Sequence, residues 1–520
     1  MSKTKIKDFG GGLNLQESST LDDNQFEELL NMFYDSDWRL QSRRGIALFW
    51  NPIPWNKPPT SWFHYINPTS WLKTTLVSSW TDIYSYDEWT SNWSSIKTGL
   101  TEFETDWVTR TRWSFTVYLS KIYLCNWIDS YAEYDPATTT YTALWTQPKV
   151  RYLAYLWDAI YWAWDDSNPS LLYATDAAAL DWRTLNANDV LVWWEEDWRI
   201  NWLEELQKES LVFKDKKVYS VPWDLTSALP LDAENGWYWD KAIERVWNSL
   251  VYFNDRGFNT LKAKSAASWV SAIQDEPLSD DLKAITSLCK SKQYNHTIWK
   301  YILPLTNYYG MFDSSWDDKP DTTIVYSSLK RAWSQYNYPA LYDFGEYKDD
   351  DGIIHYVWLS ATSWQVFEIE TWLDDLWIEI DYKIASKKYD LWDSTEWKTH
   401  TAVDLVWLKS LWDDIDISIL VDWVVVSWSI ITDDYLSDTV SEVLPIWTQS
   451  IWTWTIWWWA ITDEWIKLYK YKIRVPLLES GSNIQFILTA SSKSLIFTLD
   501  RANLHHDWED TDLFEFDNIW

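Results

Sequence analysis

The sequence predicts an all-β fold: a β-propeller of about seven blades, with a short amino-terminal arm carrying one helix before it and an antiparallel β-sandwich after it. Three observations predict this. Short runs rich in Val, Ile, Tyr, Phe and Leu recur at a loose period of ~40–50 residues. Several share a sub-pattern of turn, apolar pair, tyrosine and polar turn (DIYSYD, KIYLCN, AIYWAW, KVYSVP, LVYFND), which suits a blade's inner hairpin, whose alternate side chains face the two neighbouring blades. Beyond about Leu376 the runs lengthen and alternate, as in IDISILV and IKLYKYKIRVPLL, the pattern of a sandwich. The expected divisions are 1–70 for arm and loop, 71–375 for the propeller and 376–520 for the sandwich.

In the arm, Thr20 or Asp22 is placed to cap a short helix, with Phe26, Leu29 and Leu30 on one apolar face. Such a helix cannot stand alone and must dock. Asn51 to Ser70, rich in Pro, Asn and Thr, reads as an extended loop. The repeated units follow at 72–99, 113–144, 151–182, 189–223, 244–263, 294–336 and 353–371.

The composition holds 47 Trp and only 11 Gly in 520 residues. Glycine normally makes up about 7% of a chain, so roughly 25 are missing, and tryptophan is in excess by a similar amount. Asp or Asn directly precedes Trp38, Trp107, Trp127, Trp182, Trp198, Trp202, Trp423 and Trp508. Asp-Gly and Asn-Gly are the strongest hairpin-turn pairs, because the turn needs a positive φ that glycine adopts without a Cβ clash. The pattern is that of a source reading UGA as glycine, with most tryptophans standing for glycine. The alternative is a truly Trp-rich sugar binder with stacking platforms; the codons decide between them. Trp93, Trp113, Trp333 and Trp397 sit among strand-like or polar neighbours and read as genuine. Trp157, Trp162, Trp164 and Trp182 are expected at turns or strand ends, poorly buried. Ile446 to Trp465 becomes a flexible glycine-rich loop.

A net charge of −33 argues against attraction to phosphate backbones or anionic membranes. Cys125 and Cys289 lie far apart in apolar surroundings and read as buried free thiols. There is no apolar run long enough for a membrane helix, and the start lacks a signal-peptide core. Synthesis in a cytoplasm is therefore expected.

Candidate chemistry is sparse. His64, His296, His355 and His400 are scattered, and the adjacent pair His505-His506 would point to opposite faces of a strand. The acidic runs at 313–321 and 349–352 lack the spacing of a calcium loop, and DDDG reads as a hairpin turn. No Gly-x-Ser-x-Gly elbow appears even with glycine substituted for tryptophan. No catalytic residue, metal or cofactor is expected, and an enzyme on a propeller scaffold is the least favoured class.

The arm carries a basic strand, an F-x-G-G-L-N element at Phe9, Gly11, Gly12, Leu13 and Asn14, and a D-G-x-L-x-x-R-x-G-like element at Asp37, Trp38, Leu40, Arg43 or Arg44, and Gly45. These motifs resemble those of tailed-phage virion proteins of the head-to-tail connector or nozzle-like propeller type. The resemblance covers most of the chain by architecture and is specific only in its first ~45 residues; Trp38 stands where the family has Gly. It implies a non-enzymatic structural part of the virion, several copies forming a ring around the DNA channel and touching neighbouring virion proteins, without sequence-specific nucleic-acid binding or membrane insertion. An acidic lumen would repel DNA, the reverse of phosphate neutralisation. Phe9, Gly11, Gly12, Leu13, Asn14, Arg39, Arg43 and Arg44 become candidate subunit-interface residues, the arginines docking on acidic surface of a neighbour. The alternative, from another class, is a cytoplasmic or host-directed propeller module that binds peptide or glycan. Fold alone does not choose between them.

Overall fold

The computed structural model describes residues 2–6, 11–16, 21–22, 25–34, 40–54, 58–101, 113–126, 128–144, 149–156, 159–165, 168–175, 185–192, 200–206, 209–214, 217–222, 227–231 and 243–246. It further describes 249–254, 257–263, 273–278, 298–302, 307–312, 322–372, 374–389, 398–409, 415–422, 424–431, 442–443, 467–481, 483–492 and 497–508. Among these, regular structure is all strand, in two compact units.

The larger unit spans Leu48–Thr323 and Tyr338–Glu368 and is built on a six-bladed β-propeller arrangement. Five consecutive four-stranded sheets come first, starting at Pro59–Ile66, Ser114–Tyr118, Val150–Leu156, Ile200–Leu206 and Ile243–Val246. The sixth runs Leu341–Lys348, Ile354–Ser360, Val366–Trp372, with Gly45–Leu48 as its fourth strand. The apolar cores lie between neighbouring sheets. Leu76 and Ile83 of the first meet Ile122, Leu124 and Tyr134 of the second, and Tyr123 and Cys125 of the second meet Leu153, Ile160 and Trp162 of the third. Both faces of a middle strand are thus covered, so Val218–Val221 is buried at every position. That burial is why the middle strands read as continuous apolar runs rather than alternating ones.

The ring closes between the first and last sheets. Phe49, Ile53, Trp62, Val77, Tyr84, Tyr86 and Trp93 share one core with Tyr347, Val357, Leu359 and Val366. Phe49 N–H donates to Val366 O at 2.8 Å and Ile53 N–H to Trp364 O at 3.0 Å, so the chain just after Gly45–Leu48 stays laced to the sixth sheet. The indole of Trp62 donates to Glu346 O at 3.0 Å, and a Cβ on Gly345 would lie 2.0 Å from its ring. Only glycine admits the indole there.

The second unit comprises Met1–Ala47, Ile324–Asn337 and Ile369–Trp520. One seven-stranded sheet has the order Glu442–Val443, Lys467–Gly481, Lys398–Lys409, Phe497–Trp508, Leu40–Ser42, Met32–Tyr34, with Ser2–Ile6 also on Phe497–Trp508. A further sheet of this unit runs, from Thr322–Ser327 onward, Ala332–Tyr336, Gln25–Leu30, Ile380–Ser386, Ile484–Ser492, Ile415–Val421, Val424–Ile431, with Gly12–Leu13 beside Gln25–Leu30. Asp422, at φ 44°, closes the hairpin of Ile415–Val421 and Val424–Ile431 where Asp-Trp stood for a turn.

Three sequence expectations need correction. The helix at 20–31 is instead the strand Gln25–Leu30, paired antiparallel with Ile380–Ser386. A bulge between Phe26 and Glu28 resets the alternation, so Phe26 and Leu29, three residues apart, are both buried. That spacing mimics a helical face. Residues 51–70 are not all loop, because Pro59–Ile66 is the first strand of the first sheet and its prolines mark the strand's start. Trp162 is buried in the core between the second and third sheets rather than poorly covered. Trp157, Trp182, Trp397, Cys289, the run at 313–321 and the segment 446–465 lie outside the described residues, as does the side chain of Trp164.

Candidate functional site

Of the arm's candidate residues, Phe9 and Arg39 lie outside the described residues. The rest fall into two clusters, one at each end of the strand Ala332–Tyr336. At the first, Gly12 has φ +71°, and a Cβ there would sit 2.7 Å from the Trp333 backbone nitrogen. Gly12–Leu13 runs parallel to Gln25–Phe26, and Leu13 is buried. Asn14 N–H donates to Phe26 O at 2.9 Å and its side-chain amide to Gln25 Oε1 at 3.0 Å, while Asn14 Oδ1 accepts from Gln16 N–H. Gly11, half-buried, leads into the strand.

At the other end, Arg43 is 2% exposed. Its guanidinium forms a two-pronged pair with Asp375, Nη1 to Oδ1 at 2.9 Å and Nη2 to Oδ2. Nε donates to Asn31 Oδ1 at 2.8 Å, Nη1 to Arg44 O at 2.9 Å and Nη2 to Asn337 Oδ1 at 3.3 Å. The planar fork also lies over the Tyr336 ring, 5.7 Å from its centroid. Asn31, at φ 58°, is the hub: its Oδ1 also accepts from Asn337 N–H, and its amide donates to Asn337 Oδ1 and Asp381 O. A buried cation is tolerated when every donor is met in this way. Gly45 follows because a Cβ there would lie 1.8 Å from Asp374 O. A guanidinium committed inside its own unit is unavailable to a neighbour, so Arg43 leaves the expected surface cluster. Arg44 is half-buried, with its backbone N–H on Glu370 Oε2 at 3.1 Å.

A third cluster, whose members the sequence offered only as a scattered histidine and an acidic turn, lies at the closure of the propeller. His355 Nδ1 is 2.6 Å from Glu368 Oε1 and Nε2 is 3.2 Å from Asp349 Oδ2. Burial works against the charged imidazolium, but the hydrogen bond and charge of Glu368, joined by those of Asp349, outweigh it and raise the pKa above the ordinary 6.5. Asp349 also organises the predicted DDDG turn: its Oδ1 accepts from Ile353 N–H at 2.8 Å, and Gly352 there has φ +83°. The next residue, Asp350, meets Lys73 of the first sheet at 2.6 Å, and Lys73 stands 3.9 Å from Glu88, which accepts from the Tyr347 hydroxyl at 2.6 Å. His64 sits close by with Nδ1 on Thr75 Oγ1 and Nε2 accepting from Lys348 N–H; burial and Lys73 lower its pKa to about 4. The only sequence signals were an acidic turn and a histidine six residues on.

No family model matches the chain, and no curated protein matches it. Several solved structures align with part of the chain at low identity. A computationally designed protein, Ika8, is 8% identical, with 63% of this chain and 99% of that one covered at a TM-score of 0.35. YCF48 from Cyanidioschyzon merolae is 8% identical, over 62% and 98% of the chains at 0.38. The extracellular domain of the putative one-component system BT4673 from B. thetaiotaomicron is 8% identical, over 81% and 59% at 0.42.

Among the described residues no group of three His, Cys, Asp or Glu could hold a metal, and no helix is long and apolar enough to cross a membrane. Cys125 is a buried free thiol whose pKa burial pushes well up, so its reactive thiolate form is suppressed.

Proposed function

We propose that the chain is a non-enzymatic structural component of a tailed-phage particle, a neck, connector or nozzle protein that assembles as a ring around the DNA channel. The observation that carries this reading is the fit of the arm motifs. Gly12 and Gly45 occupy places that exclude a Cβ, and Arg43 fills a niche with a partner for each face of its fork. That the motif residues are structurally constrained, rather than incidental surface positions, supports the reading. The acidic balance, −33 overall, suits a channel through which DNA passes without sticking.

Two finer points belong to this reading. The hairpin Ile298–Ile302 and Asn307–Phe312 begins a seventh blade, since its first strand touches both Ile243–Val246 and Leu341–Lys348. The seven-stranded sheet and the strands from Thr322–Ser327 to Val424–Ile431 pair into a β-sandwich in this reading, supported by contacts of Lys467–Gly481 with Ile415–Val421 and Val424–Ile431 and of Met32–Tyr34 with Ala332–Tyr336. Recoding of tryptophan also belongs here. Among the described residues, Trp50, Trp71, Trp80 and Trp377 have positive φ, and Trp71 and Trp377 are 76% and 79% exposed. Those are glycine's conformations, and at Trp71 and Trp377 the exposed indole is poorly used, although Trp50 stacks on Tyr86. Trp62 and Trp93 behave differently, each buried and donating its indole N–H, to Glu346 O and Asn51 O.

If the exposed tryptophans are genuine, Trp71 and Trp89 (95% exposed) would instead favour a peptide- or glycan-binding module with aromatic platforms. Native mass spectrometry of the full chain, made with glycine at Trp50, Trp71, Trp80 and Trp377, tests the structural reading. Closed rings are expected, weakened by reversing charge at Arg39 and Arg44; a strict monomer under all assembly conditions contradicts it.

A further inference from the structure

We propose that the turn Asp349–Ile353 is a proton-operated clasp on the closure of the propeller, in which the imidazolium of His355 ties Asp349 and Glu368 together and so holds Asp350 against Lys73 of the first sheet. The geometry selects a proton rather than a metal. The two carboxylates lie on opposite ring nitrogens, 2.6 Å from Nδ1 and 3.2 Å from Nε2, so they cannot converge on one ion with the imidazole. Only the doubly protonated ring donates to both; a neutral imidazole donates to one and turns a lone pair on the other.

The contact that fails first is the longer one, to Asp349. That residue carries the turn: its N–H donates to Ile353 O, its backbone oxygen accepts from Gly352 N–H, and its Oδ1 accepts from Ile353 N–H. Asp350 is 87% exposed and its pair with Lys73 holds little by itself, so the link depends on the turn that presents it. Among the described residues, the groups that face the imidazole and its turn come from several elements. On the sixth sheet these are Asp349, Glu368 and the Tyr347 ring at 5.9 Å; from the strand's approach, the Phe49 ring at 5.5 Å. From the first sheet come Lys73 and Glu88, through Asp350 and the Tyr347 hydroxyl, and His64 at the Lys348 backbone. His64, with a pKa near 4, stays neutral and cannot supply a transition near neutrality.

The sign follows from a raised folded-state pKa. The clasp is fully present below about pH 6.5, the unfolded value, and is lost as pH rises through the higher folded value. Closure is tightest under mildly acidic conditions and loosens at alkaline pH.

Hydrogen–deuterium exchange of the full chain between pH 5.5 and 8.5, corrected for intrinsic rates, tests this. Protection of peptides covering 341–360 and 73–79 should fall with rising pH, by up to about tenfold per unit from about pH 6.5 to the higher folded-state value, and level off above it, as one linked proton dictates. In His355→Gln the protection should be uniformly low and flat. In Glu368→Gln, which keeps the imidazole, the midpoint should move to lower pH. A flat wild-type profile overturns the proposal, as does a transition that survives in His355→Gln. Should His355→Gln not fold, an unmoved midpoint in Glu368→Gln overturns it equally.

Discussion

Arg43 shows what the arm's sequence encodes at the residue scale. It reads as a basic surface residue beside Arg44, yet it is buried and met by Asp375, Asn31, Asn337 and the Arg44 carbonyl. Removing one side of such a pair strands a buried charge, which costs about 3–5 kcal/mol. Arg43→Met should therefore lower the unfolding free energy of its unit by that much in denaturant titration, and Asp375→Leu in the same chain should recover part of it. A loss below about 1 kcal/mol would show that the network is unimportant, being no more than an exposed pair contributes. Tryptophan at glycine conformations gives the opposite prediction. A left-handed residue with a Cβ costs roughly 1–2 kcal/mol, so Trp377→Gly and Trp71→Gly in the chain as written should each raise stability by about 1 kcal/mol. Trp62→Gly should instead destabilise, because its indole fills the closure core and hydrogen-bonds Glu346. Trp162 and Trp358 are a third kind, buried with no acceptor at the indole nitrogen among the described residues. An unmet buried donor costs about 1–3 kcal/mol, and that is what an indole placed where the core was built for something else would show.

At the scale of elements, the periodic tyrosine hairpins were legible and the arm was not. KIYLCN and KVYSVP read as near-continuous apolar runs because both faces of a blade's middle strand meet a neighbour, and Lys121–Cys125 and Val218–Val221 take those places. The DDDG turn was legible for the same local reason, Gly352 supplying a positive φ. Gln25–Leu30 misled because one bulge puts Phe26 and Leu29 on the same side at a helix-like spacing. The strand's existence depends on Ile380–Ser386, more than 350 residues away, and no local pattern carries that partner. The Arg43 niche was illegible for a like reason, since Asn337 and Asp375 come from distant chain segments. Leu29→Ala should cost about 2–5 kcal/mol, as a buried core truncation does, whereas a loss well under about 1 kcal/mol would show that Leu29 lies outside the core. Chemical denaturation of the full chain distinguishes the two.

At the scale of the whole molecule, a propeller and a second strand-rich unit share one chain whose amino-terminal segment lies with its carboxy-terminal strands. Ser2–Ile6 pairs with Phe497–Trp508, and Leu40–Ser42 joins the same strand. Such pairing of the two ends of a chain across hundreds of residues makes folding slow and the folded state hard to unravel, because distant contacts must be gathered before they stabilise anything. The structural role proposed for the chain rests on the arm motifs held in the second unit. Peptide mass spectrometry of purified particles from the gene's source tests that role most directly. The account predicts abundant peptides from this chain, with the mass of glycine at positions 71, 80 and 377. Particles that lack the chain, from cells that make it, would contradict the account.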